Sequence, residues 1–340
     1  VPDSIDSIRL AVHRLREGGV VAFPTETVYG LGADAFNPDA VRRVFELKGR
    51  PSNNPLIVHV SGPDMARRVV AQWTPDADRL ARAFWPGPLS IILPKAADIP
   101  ATVTAGGPNV AVRCPNHPTA LALLFELDTA LVGPSANLSG AVSPTSADHV
   151  RAAFPDADLL VLDGGPCSGG IESTVLSLAD PAGSRILRPG LIGPDELAGV
   201  LARPVIGTPY AGPLRDTLPS PGLLERHYAP GTPAHMFHSS DWPGVLLAHP
   251  GPLVILTHAS RRVPEPHALV RMPADAHEYA AVLYAALREA DALGVTAMLI
   301  EEPPTDGPVW HAIADRLRRA TTPAPPSSVP PSSAPPSSPG

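Results

Sequence analysis

Short apolar runs and amphipathic stretches alternate over the first two hundred residues, but several of the apolar runs follow one another with no helical stretch between them. The helical spacing of Ile5, Ile8, Val12 and Leu15 predicts a helix over 3–17, ended by Gly18-Gly19. A buried strand follows at Val20–Pro24, then a helix at Pro38–Lys48 with Asn37 as its N-cap and Pro38 in its first turn. Strands are expected at 56–60, 89–93, 109–113, 129–133, 159–163, 173–178 and 185–188. Helices are expected near 63–72, 75–84, 117–126 and 145–154. A purely wound parallel sheet needs a helix at each crossover, so this order points to an α/β fold with a twisted mixed sheet and helices packed on it. At 44% hydrophobic and 17% charged, the chain can fill at least one large core, and 340 residues is the length of about two domains.

Residues 203 to 233 break the pattern. Pro, Gly and Thr are frequent there and no period persists, which reads as a linker. Periodicity returns with strand-like segments at 254–257 and 298–300 and helix-like ones at 276–293 and 309–319, the mark of a small Rossmann-like α/β domain. The expected division is 1–203, a linker at 204–233, a second domain at 234–320, and a Pro/Ser-rich tail at 321–340 that cannot bury a core and is expected to be disordered.

No run approaches the roughly 18 apolar residues of a membrane span, and the chain opens on an amphipathic stretch with no sign of a signal peptide. Cys114 and Cys167 are too few for a disulfide framework and have no metal-ligand spacing, so both are expected as reduced thiols in a cytoplasmic protein. A formal charge of −7 argues against a general nucleic-acid coat, and stable RNA binding is not expected. Only two of the 26 basic residues, Lys48 and Lys95, are lysines, which singles each of them out.

The most unusual stretch is Phe23-Pro-Thr-Glu-Thr-Val-Tyr-Gly-Leu-Gly32, a hydroxyl-rich polar loop after a buried strand. It can present Thr25, Thr27 and backbone amides to an anion, or it can be a turn whose hydroxyls satisfy themselves. Gly30-Leu-Gly32-Ala-Asp-Ala35 matches a dinucleotide-binding pattern, but polar residues separate the glycines from the strand and Asn37-Pro38 delays the helix, against that reading. Lys48 and Arg50 stand at a helix C-terminus, where cations complement the dipole with no other role. The loop that follows them is rich in Pro and Asn, contains Asn54, and leads into a strand ending at His59, so cations, amides and an imidazole gather near strand ends. Arg suits bidentate phosphate or carboxylate contacts, and Lys offers a point charge. Arg113 ends the strand Asn109-Val-Ala-Val-Arg113, Ser135 and Asn137 sit in a strand-to-loop turn, and Ser143 precedes a helix it can cap. Glu172-Ser173-Thr174-Val175 opens a strand and Arg188 closes one. There is no G-x-x-x-x-G-K, H-E-x-x-H, G-x-S-x-G or C-x-x-C, so an ATP user here needs an unconventional phosphate site.

The segments PTETVYGLG, K-x-R, NNPLIVH, VAVR-x-P-x-HP, PSAN, SPT, ESTV and RPG occur in the order of the threonylcarbamoyl-AMP synthase family, and the chain resembles that family over about residues 5 to 200. Ser220-Pro-Gly…His227-Tyr228-Ala-Pro230 resembles the linker of its long, two-domain form. The resemblance implies a YrdC-like domain around a basic cavity. The implied product is L-threonylcarbamoyl-AMP, made from L-threonine, bicarbonate or CO2 and ATP with Mg²⁺, and passed to a tRNA-modifying threonylcarbamoyltransferase complex. Carried over residue by residue, Lys48, Arg50, Ser135 and Asn137 fall on the K-x-R and S-x-N signature. Thr27, His59, Arg113 and Ser173 fall on threonine-binding positions, and Arg50, Asn54, Asn109, Ser135, Ser143, Arg188 and Ser220 on ATP-binding ones. No residue is implied as a metal ligand. Two positions depart from the family's usual Thr: Asn109, and Gly133 at a threonine contact, which puts one hydroxyl contact in question. With no protein nucleophile in view, the implied chemistry is positioning and charge neutralisation, and the linker is expected to act as a lid. Two rivals are a carbamoyltransferase-type use of the same fold and an RNA-binding role.

Overall fold

The computed structural model describes residues 5–180, 182–207, 220, 222, 224–242, 244–249 and 251–323. The expected tail and the middle of the linker fall mostly outside these residues.

Helix α1 (Ile5–Arg16) leads into β1 (Val21–Phe23) and, after the polar loop, β2 (Gly30–Asp34). Then come α2 (Pro38–Lys48), β3 (Ile57–His59), α3 (Pro63–Val69), α4 (Pro75–Phe84), β4 (Leu89–Pro94) and β5 (Asn109–Arg113). The rest of this region is α5 (Pro118–Leu127), β6 (Leu131–Val132), α6 (Ala147–Ala153), β7 (Leu160–Val161), β8 (Thr174–Ser177), β9 (Arg185–Arg188) and α7 (Pro194–Leu201). The strands form one nine-stranded mixed sheet, ordered β7-β1-β2-β6-β3-β5-β4-β8-β9. Three of its pairings, β1/β7, β3/β5 and β4/β8, are parallel and the remainder antiparallel.

The helix boundaries follow local chemistry. Asn37 Oδ1 accepts from the backbone N–H groups of Asp39 and Ala40 to start α2, and Gly49, at φ +58°, ends it in the left-handed conformation that glycine adopts without strain. Thr74 caps α4 in the same way. The segment that matches the dinucleotide-binding pattern is a strand. β2 pairs antiparallel with β1, and the Phe23 ring lies across the bare Cα atoms of Gly30 and Gly32. A dinucleotide loop needs its glycines between a strand and a helix, so that pattern is spurious here. The sequence does not predict β2, because side-chain periodicity carries no signal through glycines.

The second region contains β10 (Ala234–Phe237), a short α8 (Gly244–Leu247), β11 (Leu253–Thr257), β12 (Ala268–Arg271), α9 (Ala276–Asp291), β13 (Ala297–Glu301) and α10 (Pro308–Ala320). Its four strands are all parallel, ordered β10-β13-β11-β12.

The two regions share a core. Val28, Val142 and Ile171 of the first pack in one buried cluster with Leu283 and Leu287 of α9 and Trp310 and Ile313 of α10. Contact is closest at Gly170, φ +70°, where an added Cβ would lie 2.1 Å from the Ala280 carbonyl oxygen. The linker is clamped from both sides: His227 N–H donates to Arg319 O, and Ala229 N–H donates to Gly140 O.

Candidate active site

The polar loop after β1 shapes one wall of a cleft with about 550 Å³ of space between its walls, mouth included. Thr25 organises the loop: its hydroxyl donates to Val28 O at 2.6 Å and accepts from the N–H groups of Thr27 and Val28. This is the self-satisfying turn that the sequence left open, and it leaves Thr27 facing the cleft.

Thr27, His59 and Arg113 come together. β3 and β5 run parallel with His59 opposite Arg113 at their carboxyl ends, and Arg113 Nη1 donates to Thr27 Oγ1 at 2.9 Å. Arg113 Nε donates to Gly87 O, and its Nη2 lies 2.7 Å from Glu26 Oε1. Glu26 was not singled out in the sequence, although it sits between the two threonines of the loop. It makes Arg113 a fixed charge rather than a mobile one. His59 is buried, and burial together with Arg113 holds its pKa well below the usual imidazole value, so the ring is neutral at pH 7. An added Cβ at Gly133 would lie 2.4 Å from His59 Nδ1. The missing side chain of Gly133 is therefore the space into which the imidazole leans.

The second group of cations lies across the cleft. Arg50 lines it and holds the following loop through Nε to Asn54 O and Nη2 to Asn54 Oδ1 and Pro55 O. Burial, with Arg188 nearby, lowers its pKa to about 9, which leaves it charged at pH 7. Arg188 also lines the cleft and donates to the carbonyl and hydroxyl oxygens of Ser173. Ser173, expected on the threonine side, thus touches a residue expected on the ATP side, and Ser90 Oγ is 2.8 Å from its hydroxyl. Ser135 lines the cleft.

Other expected residues stand behind the wall. Lys48 is 2% exposed and its ammonium donates to the carbonyl oxygens of Ser135 and Asn137, so it ties down the S-x-N turn. Burial, then Arg50, drives its pKa well below that of a free lysine. Asn137 donates to Leu138 O and Ala141 O and shapes the same turn. The Ser143 hydroxyl donates to Glu172 Oε1 at 2.7 Å, and Glu172 lines the cleft. The side chain of Ser146, not that of Ser143, caps α6: Ser146 Oγ accepts from His149 N–H. Ser220 is buried in the linker, two residues before Gly222. Asn109 is set apart: it begins β5 opposite Pro94, four residues from Arg113, or about 13 Å along the strand.

Gly222, His227 and Tyr228 of the linker complete the lining. Burial, aided by Arg50, Lys48 and Arg316 and opposed by Glu172, lowers the His227 pKa to about 3, and burial raises that of Tyr228 to about 12, so both rings are neutral. Among the lining residues, His59 Nδ1, His227 Nδ1 and the Tyr228 hydroxyl are buried polar atoms without a hydrogen-bond partner, and Asn54 Nδ2 and Asn137 Oδ1 behind the wall are two more. Each such atom costs roughly 1–3 kcal/mol when left unpaired. A cluster of them around three arginines is the arrangement of a site built for a polar, anionic ligand.

Comparison with known proteins bears on the family and the fold. A family model described as telomere recombination matches residues 13–190, and one described as the C-terminal domain of threonylcarbamoyl-AMP synthase matches 193–322. The chain is 44% identical over 225 residues to threonylcarbamoyl-AMP synthase of Pyrococcus abyssi, a match that covers 66% of this chain and 65% of that one. It is 38% identical over 327 residues to the enzyme of the same name from Schizosaccharomyces pombe, covering 83% of this chain and 80% of the relative. The crystal structure of P. abyssi Sua5 complexed with L-threonine superposes with a TM-score of 0.85 at 36% identity, over 94% of this chain and 96% of that one. With both of its domains matched and the order of its motifs kept, the chain belongs to the threonylcarbamoyl-AMP synthase family.

Proposed function

We propose that this chain is an L-threonylcarbamoyl-AMP synthase, a nucleotidyltransferase that joins L-threonine, bicarbonate or CO2, and ATP and releases pyrophosphate. The observation that carries the reading is the cleft in which fixed arginines face unpartnered polar atoms, with a neutral imidazole beside Arg113.

The threonine amine takes up CO2 to form a carbamate, a carbamate oxygen attacks the α-phosphate of ATP, and pyrophosphate leaves. Carbamate and triphosphate are both anionic, so the first barrier is their repulsion. Arg113, held in place by Gly87 O, Thr27 and Glu26, keeps N–H groups in reserve for the threonine carboxylate. Neutral His59 beside it adds a polar contact without adding charge. Arg50 and Arg188 neutralise phosphate oxygens, Ser135 serves as a polar contact on the nucleotide side, and Ser143 stands behind that side, bonded to Glu172. Catalysis is then positioning plus electrostatic stabilisation, as in other phosphoryl chemistry without a protein nucleophile.

Among the described residues no group of three or more His, Cys, Asp or Glu could hold a metal ion. Glu26 and Glu172 are each paired with an arginine. We therefore assign Mg²⁺ to the ATP phosphates as part of the substrate. The product would pass to a tRNA-modifying threonylcarbamoyltransferase complex, in keeping with a cytoplasmic enzyme. No helix among the described residues is long and apolar enough to cross a membrane.

The deciding experiment is pyrophosphate release from ATP and bicarbonate with and without L-threonine. Release that depends on threonine supports the reading, and release that ignores threonine overturns it.

A further inference from the structure

The second domain reaches the cleft through one buried cluster. Glu172, just ahead of β8, accepts from Ser143 Oγ at 2.7 Å, from the Tyr284 hydroxyl at 2.9 Å and from Arg316 Nε at 2.8 Å. Tyr284 lies on α9 and Arg316 on α10. Arg316 is 1% exposed, and its other nitrogens are also engaged: Nη1 donates to Asp315 and Nη2 to Pro189 O, next to Arg188. Its guanidinium lies 5.2 Å over the ring of Tyr228, which stacks on Tyr284. Tyr228 is held at φ +61°, a conformation that a side-chain-bearing residue keeps only under constraint. α10 supplies part of that constraint: Arg319 Nη1 donates to Leu224 O, and Arg319 O accepts from His227 N–H.

A buried ion pair gains little net stability over an apolar pair of the same size. One that joins two domains, a linker and a cavity wall fixes geometry instead. We propose that the C-terminal domain is a positioning element of the active site: Arg316 and Tyr284 fix the Glu172 carboxylate, Glu172 fixes the Ser143 hydroxyl, and Arg316 seats Tyr228 against the cleft. Neither Arg316 nor Tyr284 is catalytic, because each acts through another residue. The bonds of Arg113 and Thr27 described above all stay within the large domain. The C-terminal domain therefore bears mainly on the nucleotide side, and reaches the threonine side only at one remove, through Pro189 and Arg188 to Ser173. This rests on the proposed function only in placing Ser143 on the nucleotide side.

The test uses the full chain and two variants. Tyr284→Phe deletes one hydroxyl. The pair Arg316→Met with Glu172→Gln removes the ion pair without leaving either charge alone. KM for ATP and for threonine is read from pyrophosphate release, ATP affinity from calorimetry with Mg²⁺, and linker constraint from hydrogen exchange at residues 224–229. Loss of one or several hydrogen bonds to a charged group should raise the ATP KM about threefold in Tyr284→Phe and about tenfold or more in the double variant. The threonine KM should stay within about twofold, and exchange at 224–229 should accelerate in the double variant. A merely structural pair would lower stability and leave this KM split absent. Unchanged ATP KM in folded variants, or equal change for both substrates, overturns the proposal. If the double variant does not fold, Tyr284→Phe decides alone. If the unaltered protein has no threonine-dependent turnover, the functional reading fails, and exchange at 224–229 still decides this one: no change there overturns it.

Discussion

The two domains each bury a carboxylate against an arginine and a hydroxyl, and they use it differently. In the C-terminal sheet Glu301 ends β13, is 1% exposed, accepts from the Thr257 hydroxyl at the end of the neighbouring β11, and pairs with Arg261. Arg261 lies over the rings of Phe237 and Trp242 and donates to Ser239, so every partner belongs to the same domain. Glu172 has the same chemistry, but its partners come from both domains and its carboxylate faces a cleft. The first cluster is a lock at the carboxyl edge of a parallel sheet. The second is a joint. Similar groups thus serve stability or positioning according to whether the network closes within one element set or spans two.

The largest effect that would break this comparison is expected at the lock. Arg261→Met leaves Glu301 buried and unpaired, which should cost about 3–5 kcal/mol of stability. Specific activity of the folded fraction should be unchanged. Denaturant melts with parallel assays check both halves, and a loss of activity without loss of stability would erase the distinction.

A cation that serves a ligand should behave in the opposite way. Arg50→Ala removes charge-assisted contacts worth roughly 1.5–3 kcal/mol, so turnover should fall at least about tenfold while the melting temperature moves little. Turnover at the unaltered rate would reduce Arg50 to the brace of the Asn54 loop.

Acid should act on lock and joint alike. Burial pushes the Glu172 carboxyl up, but Arg316, Arg188 and the Ser143 bond outweigh it and hold it at about 2. Burial likewise opposes, and Arg261 and Thr257 overcome, the shift of Glu301 to about 2. A carboxyl whose pKa is depressed on folding contributes stability that is complete above its unfolded value, near 4.5, and is lost as pH falls toward 2. His227, held neutral down to about 3, adds a loss that begins below its ordinary 6.5. Stability should therefore decline from pH 6.5 and more steeply below 4.5. Glu172→Gln should flatten only the lower part. A flat profile between pH 4.5 and 3 would contradict the ion-pair assignments.

The smallest effect sharpens the joint. ATP and threonine together should slow hydrogen exchange at residues 224–229, because ligands would pair with the open atoms of His227 and Tyr228. Exchange that ignores both ligands would make the linker a tether.

Much of this was legible in the chain itself. Asn37-Pro38 and Gly49 bracket α2 as read, because caps are local chemistry. Strand ends such as His59 and Arg113 could be foreseen as neighbours of a site, and the motif order placed Thr27 with them. The joint could not be read. Arg316 looks like one more cation near a helix end, and nothing within α10 marks that it is buried against a residue 144 positions away. Gly133 is similar: its meaning is the imidazole that occupies the space of a missing side chain. Lys48 was misleading in another way. Its place in the K-x-R pair suggested a charge facing ligand, whereas burial turns it toward two backbone carbonyls.

Lys48 also gives the molecule a natural reporter. The chain has two lysines, and in the folded protein one is sealed under the Ser135–Asn137 turn while Lys95 remains partly exposed. An acylating reagent applied to the native protein should therefore tag Lys95 among the side chains and leave Lys48 untouched. A second tag on a lysine would register each opening of that turn, so that counting adducts by mass reads out the integrity of the site with no substrate present.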